Sequence, residues 1–308
     1  MKRNPDSPDG FVVVDKPAGI TSSDALKPLR HVFGTGRVGH AGTLDSFATG
    51  TLVALVGRYA RLAPWFSGCD KEYRGIVRFG AETSTLDPSG EVVGEGPLPT
   101  REALEVALPS FRGRIMQAPP AWSAVHIDGK RAWQRARDGE DVAPAAREVT
   151  IHSLELETFD GRDAVILVRC SKGTYIRSLA RDLALAAGSR GHLVALRRLA
   201  SGPFPADSGV APDAVALESL RSLGVGEAAA LGLVTLRAEG DAARRVLSGG
   251  RLHPRDFVAA GAAGDSGAAE DAAEGKGAEA CAVFDADGRL LAIVERSGAR
   301  FAYLAVMG

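Results

Sequence analysis

The run Ala164-Val165-Ile166-Leu167-Val168-Arg169-Cys170 is the clearest strand in the chain, and the abrupt switch to a helix after it limits the fold most. β-Branched residues suit a pleated, buried surface, and Ser171-Lys172-Gly173 stops the run. A helix is then predicted over about Tyr175 to Ala187, stopping at Gly188. A second strand, Phe11-Val12-Val13-Val14, ends in the turn Asp15-Lys16-Pro17-Ala18-Gly19. Thr21-Ser22-Ser23-Asp24 then begins a helix with apolar positions at Ala25, Leu26, Leu29 and Val32. Leu52 to Leu62 has helical spacing, and Glu72 to Phe79 alternates as a strand. Thr85 to Gly90 reads as a turn, Arg101 to Leu108 as a short helix and Gln117 to Trp122 as an extended Pro-Pro segment. These elements have no regular βαβ rhythm, so an α+β sheet is expected and not a doubly wound one.

A second unit starts near Thr235. Glu239 to Leu247 is a short helix closed by Gly249-Gly250. Ala282-Val283-Phe284 and Leu290 to Val294 spell a hairpin about Asp285-Ala286-Asp287-Gly288, with a last strand at Phe301 to Val306. The Ala/Gly/Glu tract at about 259–280 has too few large apolar groups to pack and is expected to be a disordered loop. Residues 1–9 are Pro/Asp/Ser-rich and are expected to form a mobile tail.

No apolar run among the 308 residues reaches the roughly 18 that a membrane span needs, and the N-terminus lacks the apolar core of a secretory signal. The expectation is a cytoplasmic protein that does not meet a membrane. Cys69, Cys170 and Cys281 lie far apart, which argues against a disulfide framework or a cysteine zinc site and for inert thiols. The net charge of −1 speaks at first against a nucleic-acid partner. However, Asp265, Glu270, Asp271, Glu274 and Glu279 against Lys276 load the acidic tract, and the remainder is positive. Basic residues cluster from Arg112 to Arg137, beside Trp122 and Trp133, and from Arg169 to Arg198, beside Tyr175. Guanidinium and ammonium groups interleaved with aromatic rings suit contacts to phosphates and bases together, although a solvated basic face is the plainer alternative.

Gly39-His40-Ala41-Gly42-Thr43-Leu44-Asp45-Ser46-Phe47-Ala48-Thr49-Gly50 is the first candidate for chemistry. No Gly-Lys-Ser/Thr closes it, so it is not a phosphate-cradling P-loop. Its glycines let the backbone bend tightly, and Leu44 and Phe47 flank one aspartate that can act as nucleophile, base or electrostatic stabiliser. The alternative is an Asp capping the helix predicted after it. In Cys170-Ser171-Lys172-Gly173-Thr174-Tyr175-Ile176-Arg177 a strand end, a glycine and a helix start present Tyr175 and Arg177 at one sheet edge. Arg177 can fork onto a buried carboxylate and keep it ionised, and Tyr175 can stack on a base. A surface arginine and a half-buried tyrosine are the ordinary reading.

Together with three further strings these motifs resemble the TruB-type tRNA pseudouridine synthases. Asp15-Lys16-Pro17-Ala18-Gly19-Ile20-Thr21-Ser22-Ser23-Asp24 and Gly39 to Asp45 match the family's two N-terminal signatures. Asp70-Lys71-Glu72-Tyr73, Ser171 to Arg177 and Leu196-Arg197-Arg198-Leu199 match three later ones, in order. Pro119-Pro120-Ala121-Trp122-Ser123-Ala124 with Gly129-Lys130-Arg131-Ala132-Trp133 and Ala136-Arg137 is similar to its RNA-gripping insertion. Ser46 departs from the family's usual Pro, His126 from a common Lys, and Trp122 and Trp133 from frequent Tyr.

The resemblance implies an α+β fold with a mixed, largely antiparallel central sheet flanked by helices. It implies a catalytic domain over residues 10–234, a thumb-like insertion at about 112–148 and a small PUA-like RNA-binding β-domain over 235–308. Asp45 falls on the catalytic aspartate, Arg177 on its arginine partner, and Tyr73 and Tyr175 on two active-site tyrosines. His40 and Leu196 match positions lining the pocket for a flipped nucleotide. Lys16, Lys130, Arg131, Arg135, Arg197 and Arg198 are expected RNA contacts, the four arginines to phosphates. The implied reaction isomerises uridine 55 in the tRNA T-loop without metal or other cofactor, in a monomer with no obligatory protein partner. Asp45 can attack C1′ of the ribose, attack C6 of the base or help remove a ribose proton, and either tyrosine can take the C5 proton. The competing reading is a non-catalytic RNA-binding or RNA-chaperone protein using the same basic surface; a guide-RNA-dependent relative would need partner proteins.

Overall fold

A computed structural model describes residues 8–260 and 278–307. Seven principal strands build one sheet in the order Gly10–Lys16, Thr49–Val56, Gly191–Ser201, Lys71–Phe79, Asp163–Cys170, Arg147–Phe159 and Gly113–Gln117. Val38–His40 pairs with Thr49–Val56, and Phe204–Pro205 with Gly191–Ser201, completing a nine-stranded sheet. Every pairing is antiparallel except the short parallel contact of Arg197 and Arg198 with Thr49 and Gly50. The α+β fold and the largely antiparallel mixed sheet agree with the sequence reading.

Helix Ile176–Ala186 packs Leu179, Ala180, Leu183 and Ala184 against this sheet, all at 1% exposure or less. Burying each such leucine contributes about 1.5–3 kcal/mol. Thr21 and Asp24 close a capping box on the first short helix, Ser22–Ala25, as the sequence predicts. The helix expected over Leu52 to Leu62 is instead the end of strand Thr49–Val56 followed by 3₁₀ turns over Gly57–Leu62. Leu52 through Val56 are buried on both faces, so their run lacks the polar alternation that marks a one-sided strand.

A five-stranded sheet comes next, in the order Val258–Ala259, Val234–Arg237, Glu279–Phe284, Leu290–Ser297 and Arg300–Val306. The expected disordered tract begins too early and ends too late: Ala259 pairs with Leu236, and Glu279 with Arg296. Most of it, residues 261–277, lies outside the described residues, as does most of the expected tail, residues 1–7. The two sheets share a core. Ala282, Phe284, Leu290 and Ile293 belong to one buried cluster with Phe11, Tyr59, Phe66 and Phe204 from the first sheet's side. Cys170 and Cys281 are free and buried, which pushes both thiols up to about 11. Among the described residues no helix is long and apolar enough to cross a membrane.

Candidate active site

Strand pairing sets the floor of the main cleft. Arg198 stands opposite Tyr73 and Leu196 opposite Gly75, so Tyr73, Leu196 and Arg198 share one face of the sheet. All three line a cleft of about 960 Å³ together with His40, Asp45, Tyr175 and Arg177. The loop between Val38–His40 and Thr49–Val56 carries Asp45 into it. Since a strand comes after that loop, Asp45 caps no helix.

Two side chains brace the loop from beneath. Buried Ser22 donates through Oγ to Leu44 O and accepts from Leu44 N, both at 2.9 Å. Lys16, fully buried, donates through Nζ to Pro17 O, Ile20 O and Ser46 O at 2.9, 2.8 and 3.3 Å. Burial depresses the Lys16 ammonium from its usual range, against the pull of Asp45. This corrects the expected role of Lys16 as an RNA contact: its three donors are spent on the chain's own carbonyls.

Arg177 is the hub. Its side chain is 5% exposed, and Nη2 donates to Asp45 Oδ1 at 3.1 Å and to Trp122 O at 2.9 Å, while Nη1 donates to Thr85 O at 2.8 Å. Nε lies 2.9 Å from Asp45 Oδ2, off the line of a hydrogen bond. A second carboxylate, Asp87, approaches Nη1 to 3.5 Å. One guanidinium thereby joins the Asp45 loop, the turn that holds Thr85 and Asp87, and the backbone at Trp122 to helix Ile176–Ala186. The sequence reading missed Asp87, taking its segment only as a turn. Asp87 is buried and also accepts from Thr85 Oγ1, Ser89 N and Ser89 Oγ. Leu86, just before it, adopts φ +60, a conformation that its residue type does not announce.

The Asp45 carboxylate is 36% exposed and opens onto the cleft, less enclosed than the sequence reading implied. Burial pushes its carboxyl up from the usual range, Arg177 opposes this and Asp87 adds to it. Arg177 therefore offsets only part of the cost of ionisation. Tyr73 is 8% exposed, and burial pushes its phenol up, which disfavours the phenolate a proton-abstracting Tyr73 would need. Burial, then the nearby Arg198 charge, pulls the His40 imidazole down, so it stays neutral at neutral pH. The Arg147 guanidinium lies 5.1 Å from the centre of the Tyr175 ring, a cation–π contact at the cleft wall.

The other expected RNA contacts separate into three groups. Arg131 is exposed at the cleft, and Lys130 is exposed beside it on the short strand Lys130–Arg131. Arg135 is held by Asp128 and Glu140 at 3.5 and 3.2 Å, and Arg197 by both oxygens of Asp15 at 3.0 and 2.9 Å. Arg198 is 1% exposed and donates to Thr51 O and Gly42 O at 2.6 and 3.1 Å. Its expected place on an RNA phosphate is corrected: the guanidinium is enclosed and holds the Asp45 loop to the central strand.

The fold has solved counterparts. A structure of an H/ACA RNP bound to a substrate RNA containing 2′-deoxyuridine contains a chain superposing with TM-score 0.69 at 19% identity, covering 97% of this chain and 85% of that one. A chain of a Cbf5-Nop10-Gar1 complex gives TM-score 0.67 at 22% identity over 99% and 89%. At these identities the likeness shows a shared fold. The model of the TruB family pseudouridylate synthase N-terminal domain matches residues 30–176. The tRNA pseudouridine synthase B of Streptomyces avermitilis is 39% identical over 98% of both chains, and that of Thermobifida fusca 40% identical over 94% of this chain and 96% of its own. The chain belongs to the TruB family of pseudouridylate synthases, and it is an isomerase.

Proposed function

We propose that the protein converts uridine 55 of the tRNA T-loop to pseudouridine in the cytoplasm, with Asp45 as its essential carboxylate. The observation that carries this reading is the Asp45–Arg177 pair, closed at 2.9 and 3.1 Å on the wall of a cleft large enough for a nucleotide. The reaction breaks the bond from N1 to the ribose C1′, turns the uracil, joins C5 to C1′ and releases the C5 proton, while N1 takes up a proton. The target base is first everted, which costs a few kcal/mol, and stacking on an aromatic ring such as Tyr73 returns about 1–3 kcal/mol. Attack on C1′, attack on C6 and removal of a ribose proton all use the one ionised carboxylate of Asp45.

Residues 10–234 act as the catalytic domain, with the insertion at about 112–148 gripping the arm and residues 235–308 as a PUA-like RNA-binding unit. Arg131 and Lys130 carry phosphate contacts, and their charge remains uncommitted to any carboxylate within 4 Å among the described residues. The relatives named tRNA pseudouridine synthase B support tRNA as the substrate, and no protein partner is invoked.

The test is tritium release from tRNA labelled at C5 of uridine. Asp45→Asn should abolish release while tRNA affinity changes by less than about tenfold, since phosphate contacts dominate binding. Release by the Asn variant at a rate near that of the parent would refute Asp45. A parent protein that binds tRNA yet releases nothing would favour the RNA-chaperone reading.

A further inference from the structure

Ser123 is a residue of the insertion whose backbone is tied on both sides. Its N–H donates to Ala121 O and its carbonyl accepts from Trp133 N, each at 3.0 Å, while the preceding carbonyl, of Trp122, accepts from Arg177. The side chain is left over. Ser123 is 4% exposed and lines the Asp45 cleft, yet its Oγ has no hydrogen-bond partner among the described residues. A buried hydroxyl without a partner destabilises a fold, and an alanine of the same backbone would avoid that cost. Two other buried hydroxyls, of Ser22 and Ser178, are satisfied, at 2.9 Å to Leu44 O and 2.8 Å to Ala118 O. Ser123 therefore stands apart from them.

We propose that the Ser123 hydroxyl is a substrate-binding group that hydrogen-bonds the everted target nucleotide and sets its orientation against Asp45. This rests on the reading of the cleft as the site of an everted uridine. A hydroxyl can donate and accept, so its partner is an oxygen or N–H of that nucleotide, on the pyrimidine edge or at the ribose 2′-hydroxyl. Arg177 holds the Asp45 loop and the backbone at Trp122 at once, which fixes Ser123 relative to the carboxylate. A nucleotide bonded to Ser123 is thereby gripped between the insertion and the catalytic loop. That placement turns a bound arm into a reactive one.

The experiment compares the full-length protein with Ser123→Ala and Ser123→Cys. Single-turnover tritium release should fall about tenfold in kcat/KM for the Ala variant, as expected for one lost hydrogen bond, with the Cys variant between the two because a thiol donates weakly. The Tm of Ser123→Ala should equal or exceed that of the parent, an outcome that a structural serine would not give. A rate within about twofold of the parent, or a lowered Tm, would overturn the proposal. Parent protein run alongside separates the failures: no release by the parent defeats the reading of the cleft, while equal release by parent and variant defeats only Ser123. Affinities for a stem-loop with uridine or 2′-deoxyuridine at the target locate the bond. A penalty for Ser123→Ala that vanishes on the deoxy RNA assigns the 2′-hydroxyl, one that persists assigns the pyrimidine edge, and none on either RNA counts against the contact.

Discussion

Residue type and neighbours singled out Asp45 and Arg177, with a capping aspartate and a surface arginine as the plainer readings, and the ordered motifs tipped the choice. A single aspartate among glycines and apolar side chains has few local roles, and an arginine opening a helix after a strand end supplies the fork. Asp87 was not readable, because Thr85-Leu86-Asp87-Pro88-Ser89-Gly90 accounts for it fully as a turn. The second carboxylate on Arg177 has a measurable consequence. With the Asp45 carboxyl raised, the folded protein keeps a proton that the unfolded chain has already released, so this group lowers stability as pH rises from the ordinary carboxylate range through the folded pKa. The Tm of Asp45→Asn relative to the parent should therefore rise with pH across that window in thermal melts. Activity should run the opposite way. It should fall on the acid side with a midpoint above the ordinary aspartate value of about 4, because the reaction needs the ionised form. A midpoint at or below that value would contradict the raised carboxyl.

At the scale of elements, the sequence reading found the strands with clear ends and the helices with clear caps. It mistook the buried stretch after Thr49 for a helix and did not assign the central strand Gly191–Ser201. That strand contains His192, Arg197 and Arg198, and charged side chains are rare in the middle of a sheet. Arg198 is tolerated there because Thr51 O and Gly42 O receive its donors. The same junction explains Gly50. Its φ is +101, and a Cβ would come within 2.2 Å of Arg198 O, where the two strands run parallel. Gly50→Ala should cost more than about 2 kcal/mol in chemical denaturation, from combined strain and overlap. Loss of less than half that amount would mean that the catalytic loop and the central strand separate more readily than their close approach implies.

Over the whole molecule, one buried cluster joins Phe11, Phe66 and Phe204 to Phe284 and Ile293, so the two sheets are expected to unfold together. Ile293→Ala, at a fully buried position, should cost about 2–5 kcal/mol and lower a single thermal transition without splitting it. Two separate transitions would show that the C-terminal sheet melts independently. Hydrophobic alternation, glycines at tight turns and the ordered motifs were sufficient to indicate the α+β class, the family and the Asp45–Arg177 pair, since each depends on residues close in sequence or on a recognisable string. The tertiary structure alone decided which charges face the cleft and which are enclosed. Lys16 and Arg198 became interior struts, Arg135 and Arg197 found carboxylates, Asp87 came to Arg177, and Ser123 came to the cleft. Desolvation and pairing depend on neighbours brought together from distant parts of the chain, and no local pattern of residue types encodes those distances.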